Sequence, residues 1–381
     1  MSTLSNWLPS RSTIRDYELM DNIVDNPSVS IQKCKSKKFN NIIAMKRIKS
    51  VASAMNSDWI TETITEILHN RYHHNIVNLL DYFIDGRDLC LIMEYLPGAK
   101  SLRYLADENA RVRIDRLPVL STSDITLVAI ELIDALAYLH SRELPQSMLF
   151  HGELKPENVL VSRERIKDGT EFDKVITMSA KFKILTISSS LVSYDSSIST
   201  TSPQDSNYCA PEVLLSKETN RSRGYSSKSD IWALGATLLN LATSFSISRS
   251  DLIVLDRYQN RSWCFGEDVL LKFSDAQRLL WDQQSSWIQD VVCSCLQLHP
   301  EQRFTARQLQ GMPTYQALFS LCSVAKEDVN LLIAENHRLV ESMQVKGECP
   351  VVIKSEDSGK YETLSNRKVG SYSIVKLFKR R

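Results

Sequence analysis

Ten consecutive residues, His151-Gly152-Glu153-Leu154-Lys155-Pro156-Glu157-Asn158-Val159-Leu160, bring a carboxylate, an ammonium and a side-chain amide close together in the chain. Glu153 can accept a proton, which is the general-base half of acid–base chemistry. Lys155 and Asn158 can serve a substrate, or they can hydrogen-bond only the loop that carries them. Lys46 ends the strand-like run Ile43-Ala44-Met45-Lys46; alone it would be an ordinary solvated edge lysine. His73 and His74 are residue types that bind metals, but no second Cys/His cluster at ligand spacing accompanies them. The pair therefore reads as a turn before a strand, and no metal centre is expected. Eight cysteines are scattered along the chain. Cys293 and Cys295 form a C-x-C on a stretch of helical periodicity, where the two side chains diverge, so the set reads as reduced, mostly buried thiols. Residues 188–206 are dense in Ser and Thr and include Ser202-Pro203, a composition of flexible linkers first and of phosphorylation-controlled switches second.

The elements that must position these groups fall into two halves. Residues 17–48 are strand-like, with apolar runs separated by turns such as Asp25-Asn26-Pro27. Trp59, Ile60, Ile64, Ile67 and Leu68 recur at helical spacing. Two further strands, residues 76–83 and 89–93, flank Asp85-Gly86-Arg87-Asp88, whose Asp-Gly step favours a hairpin. After Pro97-Gly98 long helical patterns take over, notably residues 125–139 and 231–242. Beyond this, Leu318, Cys322, Ala325, Val329, Leu332, Asn336, Leu339 and Met343 alternate in heptad steps, with one Asn in the apolar series, as in coiled-coil dimers. The last residues are polar with a basic end. Across 381 residues, 46 Lys plus Arg nearly cancel 45 Asp plus Glu, so no concentrated basic field points to nucleic acid or an anionic membrane as partner. No apolar run approaches the roughly 18–20 residues that span a bilayer, and a cytosolic or nuclear protein is expected.

The ten-residue segment resembles the catalytic loop H-R-D-L-K-P-x-N-x-L of protein kinases. Five more segments follow that family's order. Ile43-Ala44-Met45-Lys46 looks like the lysine strand, and Met93-Glu94-Tyr95 like the hinge between lobes. Tyr208-Cys209-Ala210-Pro211-Glu212 resembles the end of the activation segment, and Ser229-Asp230-Ile231-Trp232-Ala233-Leu234-Gly235 the start of the central helix. His299-Pro300-Glu301-Gln302-Arg303 resembles the late arginine motif. The resemblance covers residues 17–318 and implies an α+β, two-lobed fold: a small antiparallel sheet with one helix (17–96), then a mainly helical lobe (97–318). Around it lie an N-terminal extension (1–16), a coiled-coil helix (319–345) and a polar, basic tail (346–381). It also implies that Glu153 and Lys155 stand at catalytic positions and that Lys46, Ala44, Glu94, Leu160 and Asn158 face a nucleotide. His151, Asp230, Glu212 and Arg303 would be structural, Glu212 and Arg303 as an ion pair. Residues 228–235 look most like NIMA-related kinases.

The departures from the family pattern bear on function. The turn Val24-Asp25-Asn26-Pro27-Ser28-Val29 has no glycine, whereas kinases cover ATP phosphates with a Gly-rich turn whose backbone amides come close. Glu153 replaces the catalytic Asp, and Gly152 the preceding Arg. Thr186 stands where the family carries the Mg²⁺-holding Asp, and a hydroxyl is a poor substitute for that carboxylate. Ile64 occupies the position of the glutamate that would pair with Lys46. The apolar columns are kept: Leu68, Leu79, Ile187 and His151 would form one, while Ile31, Ala44 and Leu160 would line an adenine pocket. The expectation is a pseudokinase that works as a scaffold or allosteric partner, requires no cofactor, and binds ATP weakly and without need of Mg²⁺. Its partners would be proteins, another kinase or a second copy through residues 318–343. The alternative is a divergent active Ser/Thr kinase that uses Glu153 as base.

Overall fold

Strand-forming residues alternate along the first ninety positions, and the computed structural model joins them into one antiparallel sheet. It describes residues 12–49, 64, 73–113, 116–117, 119–141, 150–161, 183–184, 205–214, 226–248, 269–323, 351–354 and 361–364. The strands are β1 (Tyr17–Asp25), β2 (Val29–Ser36), β3 (Ile42–Ile48), β4 (Leu79–Asp85) and β5 (Asp88–Glu94), in the order β1-β2-β3-β5-β4. The period of two along β3 decides which side chains face which core. Ile43 and Met45 join Tyr17, Cys34, Phe83, Cys90 and Ile92 under one face. Ala44 and Ile48 turn to the main core on the other face, so Lys46 between them points the same way. The β4–β5 hairpin closes at Gly86, whose φ of +63° favours glycine. Arg47 crosses to this hairpin, pairing with Asp85 at 2.7 Å and Asp88 at 3.1 Å.

A second, small sheet of β6 (Lys100–Ser101), β7 (Val159–Val161) and β8 (Lys183–Ile184) leads into the helical part. There α1 (Leu102–Val112), α2 (Thr122–His140) and α3 (Ser227–Thr243) are followed by α4 (Asp275–Asp282), α5 (Ser286–Cys295), α6 (Ala306–Gln310) and α7 (Pro313–Ser323). Ser101, Ser121, Ser274, Ser285 and Thr305 cap α1, α2, α4, α5 and α6 by accepting from backbone N–H groups in their first turns. Helix α3 is apolar nearly all round and buried along its length, as such a helix must be. Gly235 makes its contact with α5 close: a Cβ there would lie 2.7 Å from Cys295 Cβ. On α5 the two cysteines do diverge, Cys295 being buried and Cys293 half-buried, and the described cysteines are all free thiols.

The result is the two-lobed α+β architecture that the resemblance implies. Of the helix expected around residues 59–68, the structure describes only Ile64, which is helical and buried in the main core. A separate compact unit begins at Ser323. Within it β9 (Val351–Lys354) and β10 (Tyr361–Leu364) form an antiparallel pair. The heptad positions after Cys322 lie outside the described residues.

Candidate active site

Asp230, in the first turn of α3 and 1% exposed, organises the loop that carries Glu153. Its Oδ2 accepts from the backbone N–H of His151 at 2.7 Å, and its Oδ1 from that of Gly152 at 2.8 Å. His140, the last residue of α2, contacts the same Oδ2 through Nε2 at 2.9 Å. Held in this way, residue 152 has φ +78°, a region that penalises side chains and suits glycine. Gly152 therefore allows the tight turn in a chain that lacks the usual arginine. The Glu153 N–H donates to His151 Nδ1 at 3.1 Å, and Asn158 Nδ2 donates to the Glu153 carbonyl at 2.8 Å. Asn158 thus braces the loop.

The Glu153 carboxylate accepts from Lys155 Nζ at 3.1 Å. Lys46 approaches the same region from β3 and is 6% exposed. Burial lowers its pKa below the ordinary value, while the Glu153 charge raises it and the Lys155 charge lowers it. The sheet and the loop so bring one carboxylate and two ammonium groups within electrostatic reach of one another, a cluster suited to holding a proton or an anion. Ala44 is buried in the main core, and Ile31 and Leu160 pack against that same core. Glu94 Oε1 accepts from the Asn78 N–H at 2.8 Å.

The β1–β2 turn that would roof this cleft spends its amides internally. Asn26 Oδ1 accepts from the N–H groups of Ser28 at 3.1 Å and Val29 at 2.7 Å, and Pro27 has no N–H. Lys49 anchors the turn from outside, on Asp25 Oδ1 at 3.0 Å and the Asn26 carbonyl at 2.8 Å. β8 pairs Ile184 with Val159 beside the loop, but Thr186 and Ile187 lie outside the described residues, as does Leu68.

Two polar clusters tie the activation-segment end to the helices. Arg303 meets Glu212 in a two-pronged pair, with both N···O distances 2.8 Å. Elsewhere Arg103 of α1 donates to Glu157 at 3.0 Å, to the Tyr208 hydroxyl at 2.7 Å and to Asn240 of α3 at 2.9 Å. Burial pushes the Tyr208 hydroxyl up to about 12, against the lowering effect of the Arg103 charge. Arg103, Asn240 and His140 were not legible as site residues, because their contacts there span from 32 to 137 positions, and no local spacing marks such a contact.

A buried lysine strand facing a loop carboxylate, with that loop pinned by the central-helix Asp, defines a kinase-type cleft between a sheet lobe and a helical lobe. Residues 27–314 match the protein kinase domain, and the chain belongs to that family. It is 28% identical over 350 residues to serine/threonine-protein kinase 10 of Danio rerio, covering 90% of this chain and 32% of that protein. It is 26% identical over 300 residues to serine/threonine-protein kinase DCLK3 of Mus musculus (78% and 33%) and 26% identical over 284 residues to ribosomal protein S6 kinase alpha-2 of Homo sapiens (71% and 32%). The chain spans about a third of the length of these relatives.

Proposed function

We propose that this kinase-family chain is a pseudokinase, impaired in phosphoryl transfer and working as a scaffold or allosteric partner for other proteins. The observation that carries this reading is the β1–β2 turn. The amides that a phosphate-covering turn would offer are taken up by Asn26 or removed by Pro27. Thr186 in place of a carboxylate supports the same reading, because Mg²⁺ at such sites relies on a carboxylate with the substrate oxygens. Nucleotide is then bound weakly, and Mg²⁺ does not strengthen it.

The test is a thermal-shift titration with ATP, with and without Mg²⁺, beside transfer of labelled phosphate to a generic protein substrate. A small, magnesium-indifferent shift and no transfer above background are expected, since a ligand stabilises only the state it binds. Transfer that disappears in Glu153→Ala would overturn the reading in favour of the second one, a divergent Ser/Thr kinase. What favours that second reading is the cluster of Lys46, Glu153 and Lys155, which retains a base and two cations in a half-enclosed site.

The partner is proposed to be a protein, another kinase or a second copy of this chain, engaged through the heptad series of residues 318–343. Removal of residues 326–381 should convert a dimer into a stable monomer in sedimentation. Two monomers, with a lower melting temperature for the shorter one, would place the helix on its own lobe instead. A NIMA-related affiliation rests on residues 228–235, and a cytosolic or nuclear location belongs to the same proposal.

A further inference from the structure

Away from the cleft, the turn before β4 and helix α2 bring together two imidazoles and two carboxylates. The side chains of His73, His74, Glu131 and Asp134 are each only 10–14% exposed. His73 Nε2 lies 3.2 Å from Asp134 Oδ2, and His74 Nε2 lies 3.6 Å from that same oxygen and 3.6 Å from Glu131 Oε2. The donor atoms of His73, His74 and Asp134 all fall within 4.8 Å of one another. Glu131 and Asp134 are three residues apart on α2, which puts both carboxylates on one helix face.

Ion pairing accounts for part of this arrangement but not for all of it. His74 Nε2 is buried and has no hydrogen-bond partner, although two carboxylates stand near it. A buried polar atom in that condition is costly, and a ligand is one way to relieve it. The surroundings also hold the donors in place. Gln310 of α6 donates to Asp134 Oδ1 at 3.1 Å, which leaves Oδ2 turned to the histidines. The His73 ring stacks on His74 with centroids 4.5 Å apart and packs against Tyr138 at 4.9 Å. Asn75 Nδ2 donates to Glu131 Oε2. Outer contacts of this kind orient metal ligands in general.

We propose that His73, His74 and Asp134 form a zinc-type divalent-cation site that clasps the turn before β4 to helix α2, with Glu131 or water in the fourth position. A tetrahedral ion about 2.0–2.2 Å from each donor spaces its donors roughly 3.3–3.6 Å apart, and the His–carboxylate separations nearly match that spacing. Nitrogen and carboxylate donors in a small tetrahedral set suit Zn²⁺ better than Mg²⁺ or Ca²⁺, which take six or more oxygens. There is an identifiable cost. His73 Nδ1 accepts from the Asn75 N–H at 3.2 Å, so in the neutral ring Nε2 carries the proton. Metal at Nε2 displaces that proton, and when the proton settles on Nδ1 the Asn75 bond is lost. Binding is therefore accompanied by tautomer change or proton release.

Zn²⁺ is titrated into the full chain after chelator treatment, with heat of binding, proton release in two buffers and melting temperature recorded; Co²⁺ is titrated in parallel for its visible spectrum. One tight Zn²⁺ per chain, a rise in melting temperature and an intense tetrahedral Co²⁺ band are expected. His74→Ala removes a mostly buried ring that stacks on His73, so a modest fall in the metal-free melt is expected, and Zn²⁺ binding read directly by titration should weaken by at least about tenfold. Asp134→Asn should weaken it similarly. No stoichiometric Zn²⁺ binding in the unaltered chain overturns the site. So does binding of equal strength in both variants, which would place the ion on other histidines or on thiols.

Discussion

Replacing Arg303 by alanine tests the tie between the activation-segment end and the helical lobe. The guanidinium is 1% exposed and makes five hydrogen bonds. Two go to Glu212 at 2.8 Å, and the others to the carbonyls of Gln297 at 2.7 Å, Lys228 at 3.0 Å and Leu298 at 3.0 Å. The guanidinium also lies 5.1 Å from the centre of the Trp232 ring. Alanine removes all of these at once and leaves a carboxylate 19% exposed with no counter-ion from Arg303. Breaking one side of a buried pair costs about 3–5 kcal/mol, and the abandoned carbonyls favour the upper part of that range. At about 2 °C per kcal/mol for a domain of this size, the melting temperature should fall by roughly 6–10 °C. Arg303→Lys separates charge from shape. It keeps the cation but cannot form the planar fork, so it should recover less than half of the loss. Thermal melts followed by circular dichroism read both variants. A fall of about 1 °C or less in Arg303→Ala would refute the reasoning, since it would mean that water already satisfies Glu212 and the three carbonyls.

The lowered pKa of Lys46 predicts a pH dependence. Between that lowered value and the ordinary 10.5 the unfolded chain binds more protons than the native one, so stability rises with pH across that window. Lys46→Met should be more stable than the unaltered chain at neutral pH, and the gap should narrow towards pH 10.5 in denaturant titrations; a gap that stays constant would show that Lys46 is not desolvated. Gly235→Ala puts a Cβ 2.7 Å from Cys295 Cβ and 2.9 Å from Leu296 Cγ, both near the backbone of the neighbouring chain segment. Overpacking of this kind costs about 1–3 kcal/mol, more than the roughly 1 kcal/mol that alanine gains over glycine within a helix. A lower melting temperature is expected, and an unchanged one would mean that α5 slides away freely.

The amino-acid sequence by itself determined the family, the division into a sheet half and a helical half, and the segments that make the cleft. These properties are local. Alternation along β3, the Asp-Gly step at the β4–β5 turn and the helical periods of α2 and α3 are each set by neighbours within a few positions, and the loop motif around Glu153 is contiguous. The glycine-free turn and Thr186 were legible for the same reason. Only the tertiary structure decided that Asp230 fastens the loop through backbone groups with Gly152 at positive φ. It also placed Arg103 between Glu157, Tyr208 and Asn240. The histidine pair shows the limit most sharply. From spacing alone His73 and His74 lacked companions, because ligand spacing is a local pattern and their carboxylates stand about sixty positions further on. Helix α2 delivers Glu131 and Asp134 to them because its apolar faces are buried in the helical core, which fixes the one remaining face against the turn before β4.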